Sequence, residues 1–532
     1  MSSAQAQATQ EVKTDNEWTI MIFFAGDPQL SPSMTAQLKA IKDAGFQANT
    51  TVLLHYDPNE RGVATTTFEI NRGRKAEIQG KGEIGTRIGD GKDPFVRNLI
   101  EDSIPGVSRS ANAAEALSTF LINGLKNHQA KHYLVFLVGH GLVVGNDMFL
   151  PDNQPESGIT LKQLGEILQW FRKGANMFQG EVELVGLHSC SMSAIEVAYE
   201  LQGTARYMLA TEGTAFVASW PYRQLLKKTL NTIDTAIEKG LEVDVDDLVT
   251  SLHRLSLHNS TDFMFSGLSA DLCLCSLDVE RINALNTPIR NLTKALKEGM
   301  NHRRGLELIT MAHLKAQSYW QETYTDLYDF CLCLERQCDP TDQIQNNMRT
   351  ACKAVQEMLA ESPKNVILQS DFFGPLYQYS HGLSVFFPWS RPVDDVPLIP
   401  DGDMIGRYRN YKFTMALGDD SWLSFLEEYF RQTQRDSREE EDGITAATGT
   451  GATASLSTNG NGIVSRSISV VEALEPVKSS PPLGDGTGCT CSVKNYPMEF
   501  LRSPRASQDP NGRPNGALRP RPSGAVVTTT QQ

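Results

Sequence analysis

Three segments of the chain, Trp18–Phe24 (WTIMIFF), Tyr133–Val138 (YLVFLV) and Val182–Leu187 (VELVGL), are apolar at nearly every position rather than at every second one. A strand with one wet face alternates, whereas a strand apolar throughout is covered on both faces. Amphipathic stretches separate these segments. Helices are expected over about residues 33–44, 111–127, 160–171 and 194–201, the second from Ala114, Leu117, Leu121 and Leu125 at helical spacing. Further strands are expected at Thr50–His55 and Arg206–Ala210, with a hairpin excursion around Val63–Ile70 and Lys75–Ile78. Strand–helix alternation with doubly buried strands predicts an α/β fold: a parallel sheet with helices on both faces and functional residues at the carboxyl ends of its strands.

From about Tyr222 to Phe430 the pattern is mostly helical, with candidate strands at Phe263–Leu268, Asp271–Leu277 and Leu383–Phe387. After Gln434 the chain turns Gly-, Thr-, Ser- and Pro-rich without apolar periodicity, the composition of a disordered tail. The expected organisation is therefore a disordered N-terminus over 1–17, an α/β domain over 18–222, a helical region over 223–433 packed on it, and a low-complexity tail over 434–532. A net charge of −14 argues against non-specific nucleic-acid binding, which needs a basic face. No apolar run approaches the roughly twenty residues of a membrane span, and the polar start MSSAQAQATQEVKTDNEW lacks the apolar core of a secretory signal. The nine cysteines include no paired C-x-x-C knuckles, so no structural zinc site is expected, and a reduced, cytoplasmic chain is the simplest reading. Nothing in the sequence fixes the oligomeric state.

Two strand ends carry chemistry. In VGLHSCSMSAIEV the apolar run turns polar at His188, and Cys190 lies between strand and helix; Ser193-x-x-Glu196 has the spacing of a capping box at the helix start. Unpaired N–H groups and the positive helix end near a thiol favour thiolate, the nucleophilic form. The bland alternative is a buried, inert cysteine. In YLVFLVGHGL a second buried strand ends at His140 between Gly139 and Gly141, which suggests an exposed ring and an approachable backbone. If the two strands are parallel neighbours, His140 and Cys190 meet at one sheet edge. A histidine about fifty residues upstream of a nucleophilic cysteine is also the spacing known from caspases. Acyl transfer needs a nucleophile, a proton carrier and oxyanion donors. Cys190, His140 and the backbone N–H groups of Gly141 and Cys190 supply that set.

At this point the chain resembles the clostripain family of cysteine peptidases, within the caspase-like superfamily. The matching pieces are WTIMIFFAGDPQL, YLVFLVGHG, VELVGLHSCSMSAIEVAYEL, ATEGTAFVASWPY, GLSADLCLCSLDVERINAL, SYWQETYTDLYDFCLCL and SHGLSVFFP, in collinear order from about Trp18 to Phe430. The resemblance implies a three-layer αβα caspase-like sandwich, a His140–Cys190 dyad, endopeptidase activity on a protein or peptide substrate, and no obligatory cofactor, although family members are sometimes calcium-dependent. It also implies a substrate pocket built around residue 188, with Ser189, Glu212 and Trp220 beside it.

One departure matters. The family commonly carries Asp two residues before the nucleophile, where it pairs with a substrate Arg or Lys; here that residue is His188. A histidine does not replace a bidentate carboxylate, so a strict Arg or Lys preference at P1 is not expected. His188 favours a polar or acidic P1 or narrows the pocket, and Glu212 is the nearest acidic residue able to restore a basic preference. Asp147, Asp152 and Glu156 lack calcium-loop spacing and are expected to be solvated. Gly80–Gly85 satisfies G-x-G-x-x-G without the strand-to-helix setting of a dinucleotide site. His381-Gly382 has no cysteine turn after it and reads as structural, and Tyr324, Leu327, Tyr328 and Cys331 read as a helical core stripe. The competing functional class is a catalytically silent peptide-binding scaffold. Cysteine-dependent acyl transfer on a non-protein substrate would use the same dyad.

Overall fold

The structure, a computed structural model, describes residues 16–26, 30–57, 65–72, 103–104, 112–141, 149–153, 156–217, 219–259, 269–320, 322–392 and 404–433. The expected tail, most of the N-terminal segment, the Lys75–Ile78 piece, the Gly80–Gly85 motif, the Phe263–Leu268 strand and Cys489 and Cys491 lie outside the described residues.

Thirteen strands are described: β1 (Trp18–Phe24), β2 (Thr50–Tyr56), β3 (Thr66–Glu69), β4 (His132–Val138), β5 (Phe149–Asn153), β6 (Glu156–Ile159), β7 (Glu181–His188), β8 (Tyr207–Ala210), β9 (Ala270–Ser276), β10 (Ser318–Tyr319), β11 (Tyr324–Asp326), β12 (Ile367–Phe373) and β13 (Ser384–Phe386). Eight form the central sheet in the order β12-β9-β8-β7-β4-β1-β2-β3. The inner strands β8, β7, β4, β1 and β2 are parallel. β3 and β9 run antiparallel to that set, and β12 pairs antiparallel with β9 and so runs in the direction of the set again.

The apolar-throughout strands are covered on both faces. In β1, Trp18, Ile20, Ile22 and Phe24 point into one core with the helices Ser31–Lys42, Tyr222–Lys239 and Val245–Asn259. Met21 and Phe23 point into the opposite core, shared with the helices Ala113–Asn127, Leu161–Met177 and Ile195–Leu201. The result is a three-layer αβα sandwich. Asn112 caps the Ala113–Asn127 helix, and Thr160 with Gln163 forms a complete capping box ahead of Leu161.

The sheet does not stop at residue 222. β9 and β12 both come from the second half of the chain and complete it, and the second core continues without a break into the helices Asn286–Met300, Arg303–Lys315, Leu327–Gln337 and Gln343–Leu359. Of the expected helical stripe, Tyr324 belongs to β11, while Leu327 and Cys331 are buried on the following helix. Among the described residues no helix is long and apolar enough to cross a membrane.

Candidate active site

β4 and β7 are parallel neighbours, and Val138 pairs with His188. His140 and Cys190 therefore each lie two residues beyond a paired position, at one edge of the sheet. Gly139 N–H donates to the His188 carbonyl at 3.4 Å across the two tips. A Cβ on Gly141 would lie 1.7 Å from the Cys190 carbonyl oxygen and 2.7 Å from its nitrogen, so only glycine lets the β4 tip close against the cysteine peptide. Beyond the cysteine the chain turns through Ser191 at φ +55°, a left-handed conformation uncommon for a residue with a side chain.

The two side chains are less open than the sequence suggests. His140 is 8% exposed and Cys190 1%, so the flanking glycines do not leave the imidazole in solvent. The Cys190 sulfur is covered by Ala215 and Trp320. Ala215 N–H donates to Sγ at 3.3 Å, and Sγ faces the Ala215 carbonyl at 3.7 Å. The nearby helix starts differently from its capping-box spacing: its N-cap is Ala194, with no side-chain cap. Ser193 Oγ instead donates to the Gly382 carbonyl at 2.6 Å, and Glu196 accepts from Phe386 N–H at 2.9 Å and the Tyr408 hydroxyl at 2.6 Å.

His188 is sealed into the wall rather than presented to a pocket. Its Nε2 lies 2.7 Å from the Phe216 carbonyl and must carry the proton there, which leaves Nδ1 to accept from the Tyr222 hydroxyl at 3.1 Å. The ring stacks on Trp220 at 4.5 Å and 5°. Burial pulls the imidazole down to about 3, so it is neutral at physiological pH. Both of its nitrogens and one ring face have protein partners. Trp220 is buried beneath it, and Ser189 is buried with an Oγ that finds no protein partner.

Glu212 does not open onto the cysteine either. Its Oε2 accepts from Gly382 N–H at 2.9 Å and from the Tyr319 hydroxyl at 3.2 Å, while Oε1 has no partner. Burial, with the charges of Asp326 and Asp271 added, pushes its carboxyl well above the ordinary range. Asp271 is pushed up to about 7 by burial, against the two backbone N–H groups it accepts. Asp326 accepts from Asp329 N–H at 2.7 Å and from His381 N–H at 2.5 Å, and the His381 ring stacks on Tyr328.

Asp271, Trp320 and Tyr377 are the surroundings that sequence reasoning missed. Only Asp271 carried a signal, a carboxylate in the otherwise apolar strand ADLCLCS. Asp147 lies outside the described residues, and of Asp152 and Glu156 only the backbone, in β5 and β6, is described. Among the described residues no group of three or more His, Cys, Asp or Glu side chains could hold a metal ion.

The sequence model of the clostripain family matches residues 95–427, more than half of the chain. No curated protein sequence matches it. Among solved structures, an inactive zymogen C11 protease from Parabacteroides distasonis is 14% identical, with a TM-score of 0.48 over 76% of this chain and 98% of that one. A secreted C11 cysteine protease from Bacteroides thetaiotaomicron, in complex with an irreversible peptide inhibitor, is 12% identical, with a TM-score of 0.49 over 77% of this chain and 100% of that one.

Proposed function

The chain belongs to the clostripain family of cysteine peptidases, and on that premise we propose that Cys190 is its nucleophile and His140 its proton carrier. The observation that carries this reading is the β4–β7 register, with Val138 opposite His188 and the Gly141 backbone pressed against the Cys190 peptide. The thiolate attacks the scissile carbonyl, and the sulfur–carbon bond forms as the carbonyl electrons move to oxygen. The N–H groups of Gly141 and Cys190 receive that charge, and the imidazolium returns a proton to the leaving amine. Water then attacks the thioester as the imidazole takes its proton, and the carbon–sulfur bond breaks to release the acid and return the Cys190 thiolate. These steps call for no cofactor; a calcium effect would have to act on the fold or on access, and a chelator arm in the assay tests it. The free cysteines of the described chain fit a reducing compartment, and we assign the protein to the cytoplasm on that usage.

The P1 residue is proposed to be uncharged or weakly polar rather than Arg or Lys. A guanidinium brought against the neutral, saturated His188–Trp220 wall would lose its water and find no carboxylate, and burying an unpaired charge is strongly unfavourable. Peptide reaches the sulfur only when Trp320 or Ala215 moves aside. That cover is also the one observation favouring a second reading, a peptide-binding scaffold without turnover.

A panel of fluorogenic peptides differing only at P1, with and without calcium or chelator, tests the specificity. Modification of Cys190 by a thiol-reactive probe tests the chemistry. Turnover should vanish in Cys190→Ala and fall by about 10²- to 10⁴-fold in His140→Ala. Dominant cleavage after Arg would overturn the specificity, and turnover that survives Cys190→Ala would overturn the nucleophile.

A further inference from the structure

The segment after β8 belongs to no helix or strand, yet four consecutive backbone N–H groups in it are each aimed at a fixed partner. Glu212 N–H donates to Asp271 Oδ2 at 2.6 Å and Gly213 N–H to Asp271 Oδ1 at 2.9 Å. Thr214 N–H donates to the Tyr377 hydroxyl at 3.2 Å, and Ala215 N–H to Cys190 Sγ at 3.3 Å. The same segment grips the cysteine turn from behind, since Ser191 N–H donates to the Gly213 carbonyl at 3.0 Å and Ser193 N–H to the Thr211 carbonyl at 2.8 Å. Space is tight as well: a Cβ on Gly213 would lie 2.5 Å from the Tyr377 ring and 2.8 Å from Asp271 Oδ1. Asp271 can reach this point because β9 runs antiparallel to β8, so the start of β9 lies at the edge where β8 ends.

We propose that Asp271 is a positioning residue for the nucleophile: its carboxylate fixes Glu212 and Gly213 so that the Ala215 N–H, two residues on, lands on the Cys190 sulfur. An N–H aimed at sulfur stabilises the anionic form, which is the reactive one. The proposal rests on the reading of Cys190 as nucleophile and adds a residue from the second half of the chain to the machinery. The charged and titratable groups around the clamp are Glu212 after β8, Tyr319 on β10, Asp326 on β11, Tyr377 after β12, Cys273 on β9, and His140 across the cysteine. Asp271 touches neither the sulfur nor, by its position, the substrate.

The test is the pH profile of Cys190 alkylation by iodoacetamide in the full-length protein, read by mass spectrometry of the Cys190 peptide between pH 5 and 9. In Asp271→Asn one N–H loses its acceptor and meets an amide donor. The profile should move to higher pH by about one unit, the size of one lost hydrogen bond to a charged group. Removing a negative charge without any positioning effect moves it the other way, because a nearby anion disfavours thiolate. A profile that stays put or moves to lower pH therefore overturns the proposal. Asp326→Asn, which removes a carboxylate from the same cluster but holds no N–H of this segment, should leave the profile in place or move it to lower pH; a shift to higher pH equal to that of Asp271→Asn would also overturn it. Should Asp271→Asn fail to fold, Tyr377→Phe releases the N–H and the Oγ1 of Thr214, leaves the Asp271 contacts in place, and must give a smaller shift in the same direction. Failure of Cys190 to react in the native wild-type protein, with reaction after unfolding, overturns the nucleophile assignment itself, which separates the two failures.

Discussion

Cys190 is flanked by two buried polar regions that handle charge in opposite ways. On one side His188 is held neutral between Trp220, Tyr222 and the Phe216 carbonyl, with every polar atom partnered. On the other side Glu212, Asp271 and Asp326 crowd together, and Glu212 Oε1 is left without a partner. The first region is finished: it has no donor, acceptor or charge to offer a substrate. The second keeps a carboxyl oxygen it cannot satisfy, and one of its members, Asp271, is directed at the backbone N–H groups of Glu212 and Gly213 behind the nucleophile. What residue 188 contributes is therefore set by its partners rather than by its own chemistry.

Replacing His188 by Asp breaks this contrast most severely. If residue identity alone made the wall neutral, the substitution would install a basic P1 preference. With the wall saturated, a carboxylate instead faces the Phe216 carbonyl in a buried slot beside the Trp220 ring. We expect a loss of about 3 kcal/mol in urea unfolding and no gain in cleavage after Arg. A rise of tenfold or more in cleavage after Arg, with an unchanged unfolding midpoint, would show that substrate does reach position 188.

That contrast also marks where sequence reading stops. The doubly buried strands β1, β4 and β7 announce themselves because periodicity is local, and so do the two turns at their ends. Their partners are not local. Ser193-x-x-Glu196 has capping spacing, yet both side chains serve Gly382, Phe386 and Tyr408, far along the chain. The Asp271–Leu277 strand was legible, but not its antiparallel entry into the central sheet. β12 was missed because ILQSDFF at a sheet edge mixes polar and apolar residues without clean alternation. His188 read as a pocket residue because nothing beside it in sequence predicts that Tyr222 and Phe216 will use both of its nitrogens.

The carboxylate side predicts a pH dependence. Glu212 is raised by burial and by its acidic neighbours, and Asp271 is raised to about 7 by burial. Between the ordinary carboxylate range and about pH 7 the folded chain therefore holds protons that the unfolded chain has released. Stability from this cluster is greatest at the acid end of that window and falls as pH rises through it. Glu212→Gln keeps an acceptor for Gly382 N–H and does not titrate. In urea unfolding from pH 4.5 to 8 the variant should gain on the wild type steadily as pH rises. A constant difference across the range would show that the three carboxylates do not share this cost.

The smallest effect sharpens the neutral side. Tyr222→Phe removes the hydroxyl that donates to His188 Nδ1 and keeps the ring against Phe24 and Phe136. One buried acceptor is left open, which should cost about 1 kcal/mol in urea unfolding. The Phe216 carbonyl and the Trp220 stack still hold the imidazole in place, so the order of P1 preferences in the peptide panel should not change. If the panel shifts toward acidic P1 residues, the freed nitrogen is being read by substrate, and the wall is a latent pocket rather than a closed one.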